Sequence, residues 1–278
     1  MFELKKTEYW KVSGLLYNIK VKYIFAYAVL DKIQEGNIYV DDVNSPKCCI
    51  VISKGGKYLV AGDEENLEFI HFLELFLKEK NNHANYFDLY LSSQKWLKII
   101  SQLLETQVVK LGRCIYSYRN KDKHDFNRIK PKVPEGYLLK EMDEVLYNKY
   151  VKEIDPSYSN TWGDANSFLK NGFGYCILYN GEFVSTCNTF YVGGGYAEID
   201  IMTNSKYRTQ GFASITACAF IDHCLEQNLI PNWDADLGND PSNKLATKLG
   251  FHKDKNVDIL WWHENQDIIK GYLKKYNY

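Results

Sequence analysis

The chain has no long apolar segment and no block of like charges. Because its 278 residues contain no run of about 18 apolar residues, the sequence predicts no membrane-spanning helix. The formal net charge is −1, so nothing predicts binding to nucleic acid or to an anionic membrane surface. Low-complexity segments and short-period repeats are also missing. What remains is the class of ordinary globular proteins, for which 45% hydrophobic and 25% charged residues are typical.

The sequence predicts neither a disulfide framework nor a leader peptide. The seven cysteines are odd in number and scattered, and only Cys48 and Cys49 are adjacent. This usage is typical of reduced thiols. The first six residues are followed by no uninterrupted apolar run, so neither a signal peptide nor a transit peptide is predicted. We therefore expect a cytoplasmic location.

The length of the chain predicts one large or two small domains. Residues 119–131 are polar and charged with few apolar side chains, which is typical of a linker. The predicted division is therefore an N-terminal α/β domain at 1–130 and a second domain at 131–278.

The front half alternates strands and helices, the pattern of an α/β layer. Residues 1 to about 35 have apolar side chains near a 3.6-residue period and are predicted to be helical, with Gly36 as the C-terminal residue. After this helix, the predicted strands of the front half are 37–40, 48–53, 58–61, 87–91 and 108–118. The further predicted helices are 67–77 and 95–104.

The second half is predicted to run β-α-α-β-β-β-α-β-α-β. Asn180-Gly181 is its strongest hairpin signal. The predicted strands are 137–140, 175–179, 183–191, 196–202, 232–236 and 259–262, and the predicted helices are 143–154, 164–169, 215–225 and 241–249.

The stretch from Glu198 to Ala213 organises this half. It begins as a strand, turns through small and polar residues, and leads directly into an apolar-periodic helix. The first turn of a helix has free N–H groups and the positive end of the helix dipole. Since Gly211 and Ala213 let a ligand approach the backbone, the loop is predicted to bind phosphate.

Arg208-x-x-Gly211-x-Ala213 resembles the coenzyme A loop of the GNAT superfamily of N-acetyltransferases. Asn239 together with Leu249-Gly-Phe251 resembles the second GNAT signature, and the element order is similar over roughly residues 136–263. The resemblance implies an α/β (α+β) GNAT acyl-CoA N-acyltransferase fold, in which helices flank a mixed central sheet.

The resemblance extends to one subtype, the zwittermicin-A-resistance acetyltransferases. It is carried by Asn171-Gly-Phe-Gly-Tyr-Cys176, Glu198-Ile-Asp-Ile-x-Thr203, Pro231-x-Trp233 and, in the front half, Ile38-Tyr-Val-Asp-Asp42. The front half also looks like the degenerate partner domain of glycine N-acyltransferases. Because it lacks a Gly-x-Gly/Ala loop, we expect it to bind no coenzyme A.

The resemblance also implies a donor site. The backbone of Ile201, Met202 and Thr203 would pair with the pantetheine arm, and groups near Met202 and Thr203 would polarise the thioester carbonyl. The remaining implied coenzyme-binding residues are Arg208, Thr209, Gln210, Gly211, Phe212, Ala213, Ser214, Asn239 and Ser242. The alternative interpretations are a tight strand–helix connection for the loop and a helix N-cap for Asn239.

Glu198 and Asp200 are the candidate catalytic residues. An amine like that of lysine has a pKa of about 10.4, so a general base is useful at neutral pH. The two carboxylates lie two residues apart on one predicted strand and so share a face, where each raises the pKa of the other. Glu198 is the first choice and Asp200 its neighbour. The alternative is a solvated outer face of the strand.

The resemblance leaves a dedicated general acid unassigned. Where many relatives carry a tyrosine that protonates the leaving thiolate, this chain has Ala246, and Ser242 is the nearest hydroxyl. No metal is expected, since Cys218, His223 and Cys224 do not share a helical face and are interpreted as core residues.

The resulting hypothesis is an acetyl-CoA-dependent N-acetyltransferase in which an amine attacks the thioester directly in a ternary complex. The acceptor would be a small polyamine-like or amino-polyol molecule, such as an antibiotic. The alternatives are a regulatory module that only binds an acyl-CoA, and an acyltransferase with another acyl donor or an amino-acid acceptor. Whether the chain forms a homodimer is left open by the sequence.

Overall fold

The computed structural model describes residues 1–118, 131–276 and 278. The chain divides into two compact units, the first of Met1–Cys114, Asp236–Asn239 and Asn256–Tyr278, and the second of Ile115–Ala235 and Asp240–Lys255. The predicted domain at 131–278 differs from this division, because residues 256–278 group with the first unit. Most of the predicted linker lies outside the described residues, so the boundary at residue 130 stays a prediction.

The strands, in chain order, are β1 (Phe2–Glu3), β2 (Gly36–Val40), β3 (Cys48–Ser53), β4 (Lys57–Gly62), β5 (Tyr86–Leu91), β6 (Val109–Ser117), β7 (Leu138–Glu141), β8 (Gly174–Tyr179), β9 (Glu182–Gly193), β10 (Tyr196–Thr203), β11 (Ile230–Asp236) and β12 (His252–His263). The helices are α1 (Ser13–Tyr17), α2 (Ile24–Leu30), α3 (Leu67–Lys78), α4 (Gln94–Leu104), α5 (Glu144–Glu153), α6 (Ser157–Trp162), α7 (Ala165–Asn171), α8 (Phe212–Glu226), α9 (Asp240–Lys248) and α10 (Gln266–Tyr276). Short 3-10 helices span Lys6–Val12, Lys80–Asn82, Glu105–Gln107 and Ser205–Tyr207.

In the first unit, the strands lie in the order β1-β2-β3-β4-β5-β12, and β4 and β5 are the parallel pair. The central strands β3 and β4 are nearly continuous apolar runs because both faces of this sheet are covered. Helices α3 and α4 bury Phe69, Leu73, Trp96 and Ile100 in one core cluster with them.

In the second unit, the order is β11-β10-β9-β8-β7, with a parallel β10–β11 pair and antiparallel neighbours elsewhere. The predicted Asn180-Gly181 hairpin is confirmed, since both residues have positive φ as they turn β8 into β9. Helix α8 buries Phe212 and Ile215 against Ile177 of β8 and Val184 of β9.

The helix predicted for residues 1 to about 35 is wrong. The segment forms β1, a 3-10 helix and the short helices α1 and α2, and Gly36 begins strand β2 rather than ending a helix. Tertiary pairing decides this outcome, because Phe2 and Glu3 pair with Val40 and Tyr39. Gly36 is also needed for close packing, since a Cβ there would lie 2.3 Å from the carbonyl oxygen of Ile52.

Three elements of the second half of the chain were not predicted in full. Helices α6 and α10 were missed, and β12 begins at His252 rather than at residue 259. The first five residues of β12 are exposed and polar, so they lack the alternation that marks a half-buried strand. In the described part of the chain, no helix combines the length and apolar character needed to cross a membrane.

Candidate active site

Strands β10 and β11 pair in parallel only at their beginnings. The pairs run from Tyr196↔Ile230 to Glu198↔Asn232, and within residues 131–276 no later residue of β10 pairs with β11. Strand β10 continues to Thr203, so its second half has one edge open on the β11 side. Unpaired backbone groups along a strand edge are a template for another extended chain.

The pairing register of β10 with β9 determines which backbone groups of β10 face this open edge. The N–H of Asn204 donates to the carbonyl oxygen of Val184 at 2.9 Å, in the same register as Thr203↔Ser185. Because residues of an antiparallel strand alternate in the edge they face, Asp200 and Met202 direct their backbone groups to β9. The backbone groups of Ile201 and Thr203 therefore face the open edge, whereas those of Met202, also predicted to bind the donor, do not.

The predicted strand–loop–helix order after β10 is confirmed. Gly211 has φ +88 and precedes Phe212, the first residue of α8, and its carbonyl accepts the N–H groups of Ser214 and Ile215 at 3.0 and 3.3 Å. Among the described residues, the N–H groups of Phe212 and Ala213 have no acceptor. A Cβ at Gly211 would meet nothing within 4 Å. The first turn of α8 thus presents free N–H groups beside open space, an arrangement that favours anion binding.

The polar side chains of the loop are exposed and bond within the loop. Arg208 Nε donates to the carbonyl of Thr203 at 3.4 Å, Thr209 Oγ1 to the carbonyl of Arg208 at 2.6 Å, and Gln210 Nε2 to the carbonyl of Lys206 at 3.4 Å. These bonds fix the loop and leave the guanidinium of Arg208 at the surface.

Lys248 was not identified from the sequence. Its Nζ lies 3.5 Å from Ser214 Oγ, in the first turn of α8, although Lys248 is itself the last residue of α9. The ammonium adds positive charge where the helix dipole is already positive. A weak signal for Lys248 in the sequence is its position directly before the Leu249-Gly-Phe251 signature.

Asp200 lies among tyrosines. Its Oδ2 accepts the hydroxyl groups of Tyr158 at 2.9 Å and Tyr150 at 3.3 Å, and both tyrosines are buried. Tyr150 comes from α5 and Tyr158 from α6, the helix that the sequence did not predict. The two hydroxyl donors on Oδ2 fix the orientation of the Asp200 carboxylate and leave its Oδ1 available to another donor.

The surroundings of Asp200 disfavour its charge. Burial, followed by the negative charge of Asp155, raises the pKa of Asp200 to about 6, and the two tyrosine hydroxyls only partly oppose this shift. A carboxyl group with this pKa is ionised at pH 7.5, yet it binds a proton more tightly than an ordinary aspartate does.

Glu198 is buried rather than solvated, with 5% of its surface exposed. The register of β9 and β10 shifts between Ala197 and Ile199, so Glu198 lies at an irregularity of the ladder. The interpretation of this side chain as part of a solvated outer face is therefore wrong.

The second signature follows β11. The N–H of Asn239 donates to the carbonyl of Asp236 at 3.0 Å, and Asn239 belongs to the first unit. In the second unit, Ser242 Oγ accepts the indole N–H of Trp233 at 3.0 Å, so this hydroxyl has a structural partner. Ala246 is fully buried.

The cysteines and histidine of α8 lie in packed surroundings. None of the seven cysteines forms a disulfide, and all of them are buried, including Cys218 and Cys224. His223 stacks on Phe173 at 4.0 Å and lies 2.9 Å from the hydroxyl of Tyr175. In the described residues, no group of three or more His, Cys, Asp or Glu side chains is arranged to hold a metal ion.

The raised pKa of Asp200 predicts an effect on stability. In the unfolded chain the pKa is about 3.9, so ionising Asp200 costs folding energy as the pH rises towards 6 and the full cost persists above pH 6. Asp200→Asn keeps an acceptor for both tyrosines and removes the charge. We expect it to raise the free energy of unfolding by about 1–3 kcal/mol at pH 8 and by less at pH 5. Urea denaturation at the two pH values measures this, and equal gains would contradict it.

Two parallel strands that separate next to a helix N-terminus with free N–H groups are the arrangement typical of acyltransferases of the GNAT class. The family described as GNAT acetyltransferase matches residues 15–260, and the chain belongs to this family. The chain is also 31% identical to the uncharacterized N-acetyltransferase YdfB of Bacillus subtilis (strain 168), over 90% of this chain and 94% of that protein. The predicted GNAT family and enzyme class are thereby confirmed, and the protein is an N-acetyltransferase. The zwittermicin-A-resistance subtype stays a prediction.

Solved structures confirm the predicted fold. A GCN5-related N-acetyltransferase-like protein from Streptococcus suis 89/1591 is 25% identical with a TM-score of 0.74, covering 92% of this chain and 99% of that one. A tandem GNAT protein from the clavulanic acid biosynthesis pathway has a TM-score of 0.60 at 11% identity, covering 92% and 94%. The tandem neighbour supports the description as two domains.

Proposed function

We propose that this N-acetyltransferase transfers the acetyl group of acetyl-CoA to a primary amine of a small cationic molecule. The amine attacks the thioester directly in a ternary complex. The observation that carries the proposal is the open edge of β10, which leads from the fixed carboxylate of Asp200 to the free N–H groups at the first turn of α8.

The donor is proposed to lie along this edge. The pantetheine arm pairs with Ile201 and Thr203, whose backbone groups face away from β9. The pyrophosphate accepts the N–H groups of Phe212 and Ala213, with Lys248 as an added cation. Arg208, Thr209, Gln210 and Gly211 form the loop that surrounds the pyrophosphate.

Asp200 is the better supported of the two candidate bases. Its Oδ2 is held by Tyr150 and Tyr158, and Oδ1 accepts the proton of the attacking amine. The nitrogen of the neutral amine bonds to the thioester carbon as Oδ1 takes one of its protons, and the carbon–sulfur bond breaks. The thiolate takes a proton from solvent, and Asp200 then releases its proton to solvent. Glu198 is buried on the same strand, and its negative charge adds to the rise in the pKa of Asp200.

The acceptor is proposed to carry more than one positive charge. Asp155 and Asp200 influence each other electrostatically, and among the described residues neither has a lysine, arginine or histidine partner. Half-buried carboxylates without a cation of their own favour a cationic ligand. Polyamines and amino-polyols fit this charge, and an antibiotic of the zwittermicin type is the narrower version of the proposal.

Isothermal titration of the purified protein with acetyl-CoA tests the donor half of the proposal. We expect saturable heat of binding together with an increase in melting temperature. The absence of both at millimolar acetyl-CoA would refute the proposal.

Lys248→Ala is expected to raise the KM for acetyl-CoA about threefold to tenfold and to leave kcat unchanged. The variant removes a cation that binds the donor equally in the ground and transition states. Lys244→Ala is the matched control, since Lys244 lies one turn earlier on α9 and pairs with Asp240. Steady-state kinetics at low and high salt measure the effect, and equal KM values for the two variants would contradict it.

A module that binds acyl-CoA without transferring it is the second candidate. Ala246 favours this candidate, because it is fully buried and has no hydroxyl group where many relatives carry a tyrosine. Binding of acetyl-CoA without release of free coenzyme A, over a panel of amines, would select it.

A further inference from the structure

The hydroxyl group of Ser185 lies where the end of β10 meets helix α8. Ser185 belongs to β9 and is fully buried. Its Oγ lies 2.8 Å from the carbonyl oxygen of Met202 and 2.9 Å from Oγ1 of Thr203, the last residue of β10. A third neighbour is Oγ1 of Thr216, on α8, at 3.3 Å. One buried hydroxyl thus contacts both the strand and the helix.

The protons of these hydroxyl groups have a consistent arrangement. A carbonyl oxygen can only accept, so Ser185 donates its single proton to Met202 and accepts that of Thr203. The proton of Thr216 faces Ser185 Oγ and also the carbonyl oxygen of Ala213, in the first turn of α8, at 3.2 Å. Each hydroxyl of the network therefore has a partner, which is what burial of Ser185 and Thr216 requires.

The network joins the two parts of the proposed donor site. The backbone groups of Thr203 face the open edge of β10, and the free N–H groups of Phe212 and Ala213 belong to the first turn of α8. Along the chain, these two parts are connected by residues 204–211, most of which are exposed. The hydroxyl of Ser185 adds a connection between them through the interior of the second unit.

We propose that Ser185 and Thr216 are positioning residues that set the distance between the two parts of the donor site, the strand edge for pantetheine and the helix turn for pyrophosphate. The inference rests on the proposed function, which assigns both parts to acetyl-CoA. Buried hydroxyl networks in which every group has a partner make the surrounding structure rigid. A ligand that spans both parts depends on their spacing, whereas a ligand that occupies one part does not.

The test compares acetyl-CoA with two of its fragments, each of which occupies one part of the site. ADP carries a pyrophosphate without pantetheine, and S-acetylpantetheine carries the thioester and the pantetheine arm without a pyrophosphate. Ser185→Ala is expected to raise the Kd and KM for acetyl-CoA about threefold to tenfold, with kcat within about twofold. The Kd of each fragment, measured by calorimetry, is expected to change less than about twofold. Thr216→Val is the second variant and is expected to give the same pattern.

Thr189→Val is the matched control. Thr189 is also fully buried on β9, but its hydroxyl accepts the N–H of Phe173 at 3.1 Å and donates to the carbonyl of the same residue at 3.0 Å. Its removal therefore costs a buried hydrogen-bonding group at a distance from the donor site. Urea denaturation is expected to show lower stability in all three variants, with wild-type affinity for acetyl-CoA only in Thr189→Val.

Wild-type affinity for acetyl-CoA in both Ser185→Ala and Thr216→Val, or an equal loss in Thr189→Val, overturns this inference and leaves the proposed function standing. Fragment binding that weakens as much as the binding of acetyl-CoA overturns it too, because the hydroxyl groups would then act within one part of the site. The same holds if the wild-type protein binds acetyl-CoA but neither fragment. A wild-type protein that binds no acetyl-CoA overturns the proposed function and the inference with it.

Discussion

Asp200→Asn is expected to lower kcat/KM for the amine about 10²–10⁴-fold, the usual contribution of a positioned general base. Asparagine keeps the shape and an acceptor for Tyr150 and Tyr158 but cannot take a proton from the attacking amine. The same substitution is expected to stabilise the free protein at pH 8, so activity and stability change in opposite directions. Steady-state kinetics by thiol release measure the loss.

Two further variants show whether this loss belongs to Asp200. Glu198→Gln removes the neighbouring carboxylate, and a larger loss in this variant would make Glu198 the base instead. Glu182→Gln removes an exposed charge from the start of β9 and serves as the control. In the wild-type protein, kcat/KM is expected to fall as the pH drops through about 6, because protonated Asp200 is no base. An unchanged pH profile in Asp200→Asn would contradict the assignment.

Gly211→Val is expected to weaken acetyl-CoA binding by at least about 100-fold. Gly211 has φ +88, a conformation that a β-branched residue adopts only with strain. The valine side chain would also project into the open space that the pyrophosphate is proposed to fill, since nothing lies within 4 Å of a Cβ there. Calorimetry of the variant with acetyl-CoA measures the loss.

Gly163→Val is the control for strain alone. Gly163 also has positive φ, at +81, and a Cβ there would likewise meet nothing within 4 Å. It follows α6 rather than the proposed phosphate loop. Equal losses of acetyl-CoA affinity in the two variants would contradict the assignment of Gly211 to the pyrophosphate.

The parts of the fold that sequence predicts best are those with local causes. Strand β3 spans Cys48–Ser53 as its apolar run predicts, and the Asn180-Gly181 turn forms the hairpin that its φ preferences favour. The turn before α8 is predicted in the same way from the φ preference of Gly211. In each case the conformation depends on the residues of the segment itself.

The missed features depend on residues far apart in the chain. Strand β1 forms because Phe2 and Glu3 pair with β2. A segment of two residues has no periodicity from which that pairing could be predicted. The tyrosines around Asp200 come from α5 and α6, about 50 and 40 residues earlier, so only the packed fold brings them together. The parting of β10 from β11 likewise has no signature in either strand.

Acetyl transfer to a diamine tests the central claim most directly. Wild-type protein is incubated with acetyl-CoA and 1,5-diaminopentane, with 1-aminopentane as the singly charged control, and coenzyme A release and the mass of the amine are followed. We predict one acetylated amine for each coenzyme A released, and a higher kcat/KM for the diamine, because Asp155 and Asp200 favour a second positive charge. Coenzyme A release without an acetylated amine, or no release although acetyl-CoA binds, would contradict the account.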